Sequence, residues 1–253
     1  MYSKKLYLLL FLALISALSC NKNSGPDEEP LEEPLWPGEV AGYTKVDHQG
    51  FVIQVQDYGL SNYASVTNEA LDKVKADLDA IVDDYELPPV VLDSLRQMTF
   101  FIDWSASFGG TARFHASRNW LVNNGYILDK LYSIEVSNVG NFLHHTGLNM
   151  PNLLLHEIAH LYHLTTLTTN YEPIYEAYLN AREKNLYSSV SYHAGNGNYV
   201  EGVFSPAVSD QLNYFAELTE AYFGLNEYYP FNREQLREHD PQGFAVLEAV
   251  WKD

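Results

Sequence analysis

A single cysteine in 253 residues rules out an internal disulfide, so the fold must be held by a core rather than by cross-links. Basic residues are scarce: 15 Lys and Arg face 33 Asp and Glu, a net charge of −18. A surface of that sign repels phosphate, which argues against nucleic acid as a partner and against docking of the folded part onto anionic lipid. The apolar run from Leu6 to Ile15 is too short for the ~20 residues that a membrane-spanning helix needs. The chain also lacks a phosphate-binding glycine loop, a G-x-S-x-G elbow, a C-x-x-C pair and any internal repeat.

What the chain does carry begins at its amino end. Lys4 and Lys5 precede the apolar run, and small residues follow it up to Cys20, the pattern of a secretory signal over residues 1–19. Cys20 falls where a lipoprotein signal would be cut, and lipidation is the natural use of a lone thiol in an exported chain, against a buried or released cysteine. Ala17-Leu18-Ser19 is looser than the usual lipobox, which has Leu three places before the Cys. Residues 20–38 are acidic and Pro-rich, the composition of a disordered tether. This stretch resembles the acidic signal of some Gram-negative surface lipoproteins, which implies display on the outer membrane; the plainer reading is a solvated spacer. Without the first 19 residues the balance is 13 basic against 33 acidic, a net of −20. Residues 39–253 then suffice for one sizeable domain, expected to be monomeric and to meet the membrane only through its lipid.

His156-Glu157-Ile158-Ala159-His160 is the stretch that carries chemistry. On a helix, residues four apart share a face, so both imidazoles can hold one metal ion, and Glu157, roughly 100° around, stands beside them to take a proton from water. Leu153, Leu154, Leu155, Ile158, Leu161 and Leu164 give the helix a broad apolar surface, so polar groups embedded in it carry a desolvation cost that a metal would offset. The bland alternative is an amphipathic helix with polar residues in coincidental register.

A catalytic zinc needs a third protein ligand and an open position. The all-histidine extension H-E-x-x-H-x-x-G-x-x-H fails here, because His163 stands at the glycine and Thr166 at the last histidine. His163 lies about 10 Å along the axis from His156, too far to share one ion, and is read as a supporting or packing residue. Asn213 to Gly224 is a second helical pattern with embedded acids. Glu217 is the choice for third ligand and Glu220 for the carboxylate that orients a ligand histidine, with the two roles exchangeable; exposed acids on a solvated face are the alternative.

His156 to His160 followed by Tyr214-Phe215-Ala216-Glu217 resembles the glutamate-liganded zinc peptidases, the gluzincin type, and is distantly similar to the catalytic domain of anthrax lethal factor. A closer resemblance is to a group of secreted, largely uncharacterised bacterial and fungal metallopeptidases. It runs through Ala112 to Ser117, Trp120-Leu121, Asn124-Gly125, Ile134 to Asn138, the two helices, Tyr229 to Arg233 and His239-Asp240-Pro241, over roughly residues 98–253. The resemblance implies a zincin-like α+β domain, a bound Zn2+ and hydrolysis of peptide or protein substrates. Where such relatives often place a carbonyl-polarising Tyr, this chain reads Phe204-Ser205-Pro206-Ala207, which leaves His193, Tyr192 and Tyr199 as weak substitutes.

Periodicity predicts extended segments at 42–46 and 51–56, a helix over 67–85, strands at 98–104 and 131–137, and helices at 151–166, 172–185, 211–225 and 243–252. Strands first and helices later give an α+β fold. Ile134, Glu135 and Val136 are expected to form an edge strand beside the zinc helix that pairs with an extended peptide, against the reading of an internal strand. A catalytically inactive zinc-binding surface lipoprotein, an adhesin or binding module, is the alternative function. A glycan-binding reading rests on 19 Tyr, 12 Phe and 4 Trp, and would place its site at Asp103-Trp104 and Trp120.

Overall fold

The chain enters its sheet through a tight hairpin. β1 (Tyr43–His48) and β2 (Phe51–Gln56) pair antiparallel with His48 opposite Phe51, so only Gln49 and Gly50 make the turn. Both have positive φ, 51° and 87°, the geometry whose twist matches the flanking strands. The helices α1 (Asp57–Asn62), α2 (Ala64–Asp83) and α3 (Pro89–Leu95) follow, then β3 (Thr99–Ile102), β4 (Ala112–His115), α4 (Arg118–Asn123) and β5 (Ser133–Val136). The sheet order is β1-β2-β3-β5-β4, with β2, β3 and β5 parallel and both outer strands antiparallel. Thr99 to Ile102 is buried at every position, as expected of a parallel strand covered on both faces.

Helices fill the rest: α5 (Val139–Leu148), α6 (Leu153–Tyr162) and α7 (Glu172–Glu183), then a hairpin of β6 (Val190–Gly195) and β7 (Asn198–Val203), then α8 (Gln211–Phe223), α9 (Arg233–His239) and α10 (Pro241–Lys252). The fold is therefore α+β. This computed structural model describes residues 38–106 and 110–252. The signal segment, Cys20 and all but the last residue of the tether lie outside the described residues, and among those no helix is long and apolar enough to cross a membrane.

α6 and α8 pack against each other at the centre. α10 holds them there: the Trp251 ring stacks on Tyr162 of α6 and Phe215 of α8 at centroid distances of 4.8 and 5.5 Å, and its indole N–H donates to Thr219. At one end of the pair Asn152 donates to the Leu225 carbonyl at 2.8 Å. A Cβ on Gly224 would collide with that same Asn152 side chain, so glycine is what lets the start of α6 close on the end of α8. The helix expected over 151–166 stops earlier as an α-helix. From His163 to Leu167 its turns widen to π geometry before Thr168 leaves with φ 70°.

The edge-strand expectation for Ile134 to Val136 is corrected. β5 lies between β3 and β4 with both backbone edges paired, because the short β4 adds antiparallel to its outer side. The strand beside α6 is β4. Alternation along β5 sends Ile134 and Val136 into the core and Glu135 to the opposite face of the sheet. There Glu135 accepts from Lys130 at 2.8 Å and meets His115 at 2.7 Å, and Lys130 also bonds Asp103.

Burial raises the Asp103 carboxyl above its ordinary range against the pull of Lys130. Burial also opposes ionisation of Glu135, but the His115 bond and the Lys130 charge outweigh it and hold that group low. Lys130 is thus a buried cation between two acids. Replacing it (Lys130→Met) is expected to cost about 3–5 kcal/mol near neutral pH by stranding two buried charges. An acid whose folded pKa is raised destabilises the fold as pH climbs past its unfolded value, so the cost should shrink toward about pH 5 as Asp103 takes up a proton. Urea unfolding at both pH values measures this, and equal costs would mean Asp103 does not titrate between them.

Candidate metal centre

Helical spacing does what the motif requires. His156 and His160 turn their rings toward each other, Nε2 to Nε2 at 3.0 Å, with the ring planes 73° apart. The far nitrogen of His156, Nδ1, bonds Glu220 Oε1 at 2.7 Å. A proton on Nδ1 shared with Glu220 leaves the Nε2 lone pair of His156 facing His160. Burial, with the neighbouring His156 and His163 adding to it, pushes the His160 pKa well down, so its imidazole is neutral and able to donate a lone pair.

α8 brings its acids to the same place. Ligand atoms of His156, Glu217 and Glu220 all lie within 4.8 Å of one another, a group that can hold a metal ion. His160 stands outside that group of three and meets it only through its Nε2, 3.0 Å from that of His156. Glu220 is already committed to Nδ1 of His156, whereas Glu217 Oε2 accepts from Asn226 at 3.1 Å. The Asp210 cap on the first turn of α8, accepting from the Asn213 N–H at 2.8 Å, fixes where that helix begins.

Electrostatics mark the cluster as a place for a cation. Glu217 and Glu220 are buried, and burial first, then the Glu227 charge, pushes both far above the carboxylate range. Burial raises Glu227 too. A positive ion among these groups would favour their ionised forms, and imidazole nitrogen with carboxylate oxygen is a donor set that zinc accepts.

Glu157 faces a different neighbour. Its Oε2 accepts the backbone N–H of Phe114 in β4 at 3.1 Å, and the Phe114 ring lies 4.9 Å from that of His160. Burial raises its pKa, opposed by His156 and by the Phe114 bond.

Other expected site residues fall elsewhere. His163 is sealed in the core, its ring edge-on to Phe215 and neither nitrogen partnered; burial lowers its pKa to about 4. It packs rather than supports a ligand. His193 and Tyr199 pack on each other on the β6–β7 hairpin, rings tilted by 39° with centroids 5.0 Å apart, and Tyr199 is exposed and turned toward Phe231. Tyr192 accepts from Asn149 at 2.9 Å and packs on Tyr228 at 4.8 Å.

Glu227 and Tyr228 are the residues that sequence reasoning passed over. Burial, then the charges of Glu217 and Glu227, raises the Tyr228 phenol above its ordinary value. The signal available was a polar Asn226-Glu227 pair set directly before Tyr228-Tyr229 and just past the α8 terminus. Comparison of the chain with family profiles, with curated proteins and with solved structures found no match to any of them.

Proposed function

We propose that this protein is a zinc metallopeptidase of zincin-like fold, exported and lipid-anchored through Cys20, that hydrolyses peptide bonds in extracellular or periplasmic substrates. The reading rests on one observation: His156 and His160 converge at 3.0 Å beside Glu217, while Glu157 is held next to them by a strand that has a free edge. His156, His160 and Glu217 would hold the ion, and Glu220 would fix the His156 ring. Zinc in such a site supplies Lewis acidity, polarising a carbonyl and acidifying water.

The protein's own groups do the rest. The Phe114 N–H pins one oxygen of Glu157, leaving the other to take a proton from the attacking water and pass it to the leaving amine. β4 replaces β5 as the strand that lines up the substrate. Thr111 and His115 turn their carbonyls toward β5, bonding Ser137 and Tyr132, so by alternation Ala112 and Phe114 face outward, where Glu157 takes the Phe114 N–H and the Ala112 N–H is the donor left for a peptide. Ala112→Pro removes an outward N–H at an edge position that tolerates proline. It is expected to raise KM for an extended peptide about tenfold or more with the unfolding midpoint little changed. An unaltered KM would take substrate alignment away from β4.

A second reading has its own support. Of the metal-binding side chains only His156 is noticeably exposed, at 15% of its side chain, as in a closed structural site. The protein would then be a zinc-bearing adhesin or binding module. Incubation of the zinc-loaded protein with a diverse peptide library separates the two, since only a peptidase gives cleavage products that a chelator abolishes.

A further inference from the structure

A cavity of about 270 Å3 opens on the face of the sheet away from α6, lined by Asp103, Trp104, Arg113, Tyr126, Glu135 and Ser137 among others. At ~30 Å3 per water it holds about nine waters' worth of space, room for a ligand the size of one monosaccharide unit. Among the described residues two buried polar atoms of its lining have no hydrogen-bond partner, Asp103 Oδ1 and Arg113 Nε, the latter only within ion-pair range of Glu135 at 4.0 Å, and Asp103 as a whole is only 8% exposed. Unsatisfied buried donors and acceptors are costly, and they persist where a ligand completes them.

The charges around the cavity compensate within it. Lys130 serves Asp103 and Glu135, and Arg113 stands 4.0 Å from Glu135. A neutral ligand is favoured, and the net charge of −18 disfavours an anionic one. One acceptor and one donor side by side suit adjacent hydroxyls, which both give and receive hydrogen bonds.

Aromatic surface surrounds the opening. Trp104 stacks on Tyr63 at 3.8 Å with 6° between planes, and Tyr58 lies 5.6 Å from Trp104 with 53% of its surface exposed. On the other side the Arg113 guanidinium sits over Trp120 and Tyr126 at 5.9 and 6.0 Å. Half-buried Trp104, packed on the core at one side, and the exposed Tyr58 and Tyr63 beside it are a platform for the C–H face of a sugar ring.

We infer that this cavity is a saccharide-binding site for a neutral hexose unit of a glycan, with Asp103 and Arg113 taking hydroxyls and Trp104 stacking the ring. The site is separate from the metal centre and needs neither zinc nor hydrolysis.

Retention of the full-length protein is measured by affinity electrophoresis in gels cast with a neutral mannan, a galactan or a chitin oligomer, and with polygalacturonate as the acidic comparison. The expected result is retardation by at least one neutral glycan, weakened tenfold or more in Trp104→Ala and in Asp103→Asn and unchanged in Glu157→Gln or with chelator. Tyr58→Ala, at an exposed ring, covers the case in which Trp104→Ala fails to fold, and should weaken retention severalfold. No retention by any neutral glycan, retention by polygalacturonate alone, or retention that survives these substitutions overturns the assignment.

Discussion

Glu157→Gln is expected to keep its zinc and lose its peptidase activity. Gln differs from Glu in charge and basicity while keeping an oxygen in nearly the same place, so the Phe114 N–H retains an acceptor and the β4–α6 contact survives. Glu157 is not one of the side chains proposed to hold the ion, and its Oε2 is taken by the Phe114 N–H, so the metal content should stay at the wild-type level. What is removed is a base able to take a proton from water, a contribution of about 10²–10⁴ in rate for a well-placed general base. kcat should therefore fall by that factor while KM moves little, since the carboxylate acts in the transition state and not in ground-state binding. Metal analysis by mass spectrometry and steady-state rates on a library-derived peptide decide it. A variant that still cleaves at the wild-type rate removes Glu157 from the chemistry, and one that has lost its zinc means the residue holds the ion.

Much of this centre was legible in the chain because helical periodicity is local. The four-residue spacing of the histidines and the three-residue spacing of Glu217 and Glu220 fix which side chains share a face, whatever the rest of the molecule does. The pairing of α6 with α8 was not local, yet acids embedded among Tyr214, Phe215, Leu218 and Ala221 pointed to it, because buried acids need a partner.

What escaped depends on tertiary contact. β4 is only four residues long, Ala-Arg-Phe-His, too short for its apolar-polar alternation to stand out, and without it β5 reads as the edge. The β6–β7 hairpin did carry a signal. Asn196 and Gly197 both have positive φ, 52° and 73°, and Asn-Gly between extended runs is the strongest short hairpin cue, yet the surrounding glycines and asparagines read as loop. Lys130 is nearly sealed from solvent, and only the fold brings Asp103 and Glu135 to either side of it.

Removing the metal is expected to destabilise the whole domain, and by an amount that depends on pH. Glu217, Glu220 and Glu227 are buried together, each with its pKa raised by burial and, for the first two, by Glu227. In the metal-free protein near neutral pH these groups must either take up protons or repel one another. An ion that binds the native state alone stabilises it by about 4 kcal/mol at a thousand times its Kd. For a domain of this size, where 1 kcal/mol moves Tm by about 2–4 °C, the chelated protein should melt roughly 8–16 °C lower.

The sign of the pH effect follows from the direction of the shifts. Carboxylates with raised folded pKa values penalise the native state once pH exceeds their unfolded values, and the penalty fades as pH falls back through the folded ones. Metal-free protein should gain stability on acidification from neutral pH, while the zinc form loses its advantage as protons compete for the same ligands. The two melting curves converge.

Glu217→Gln gives the sharper result. It deletes a ligand and one of the crowded acids at once, while Gln still offers an oxygen to Asn226. Its metal-free form should melt above metal-free wild type, and added zinc should no longer raise it. A wild-type Tm indifferent to chelator would mean that the acids of α8 balance their charge without a cation, and the metal centre would have to be given up.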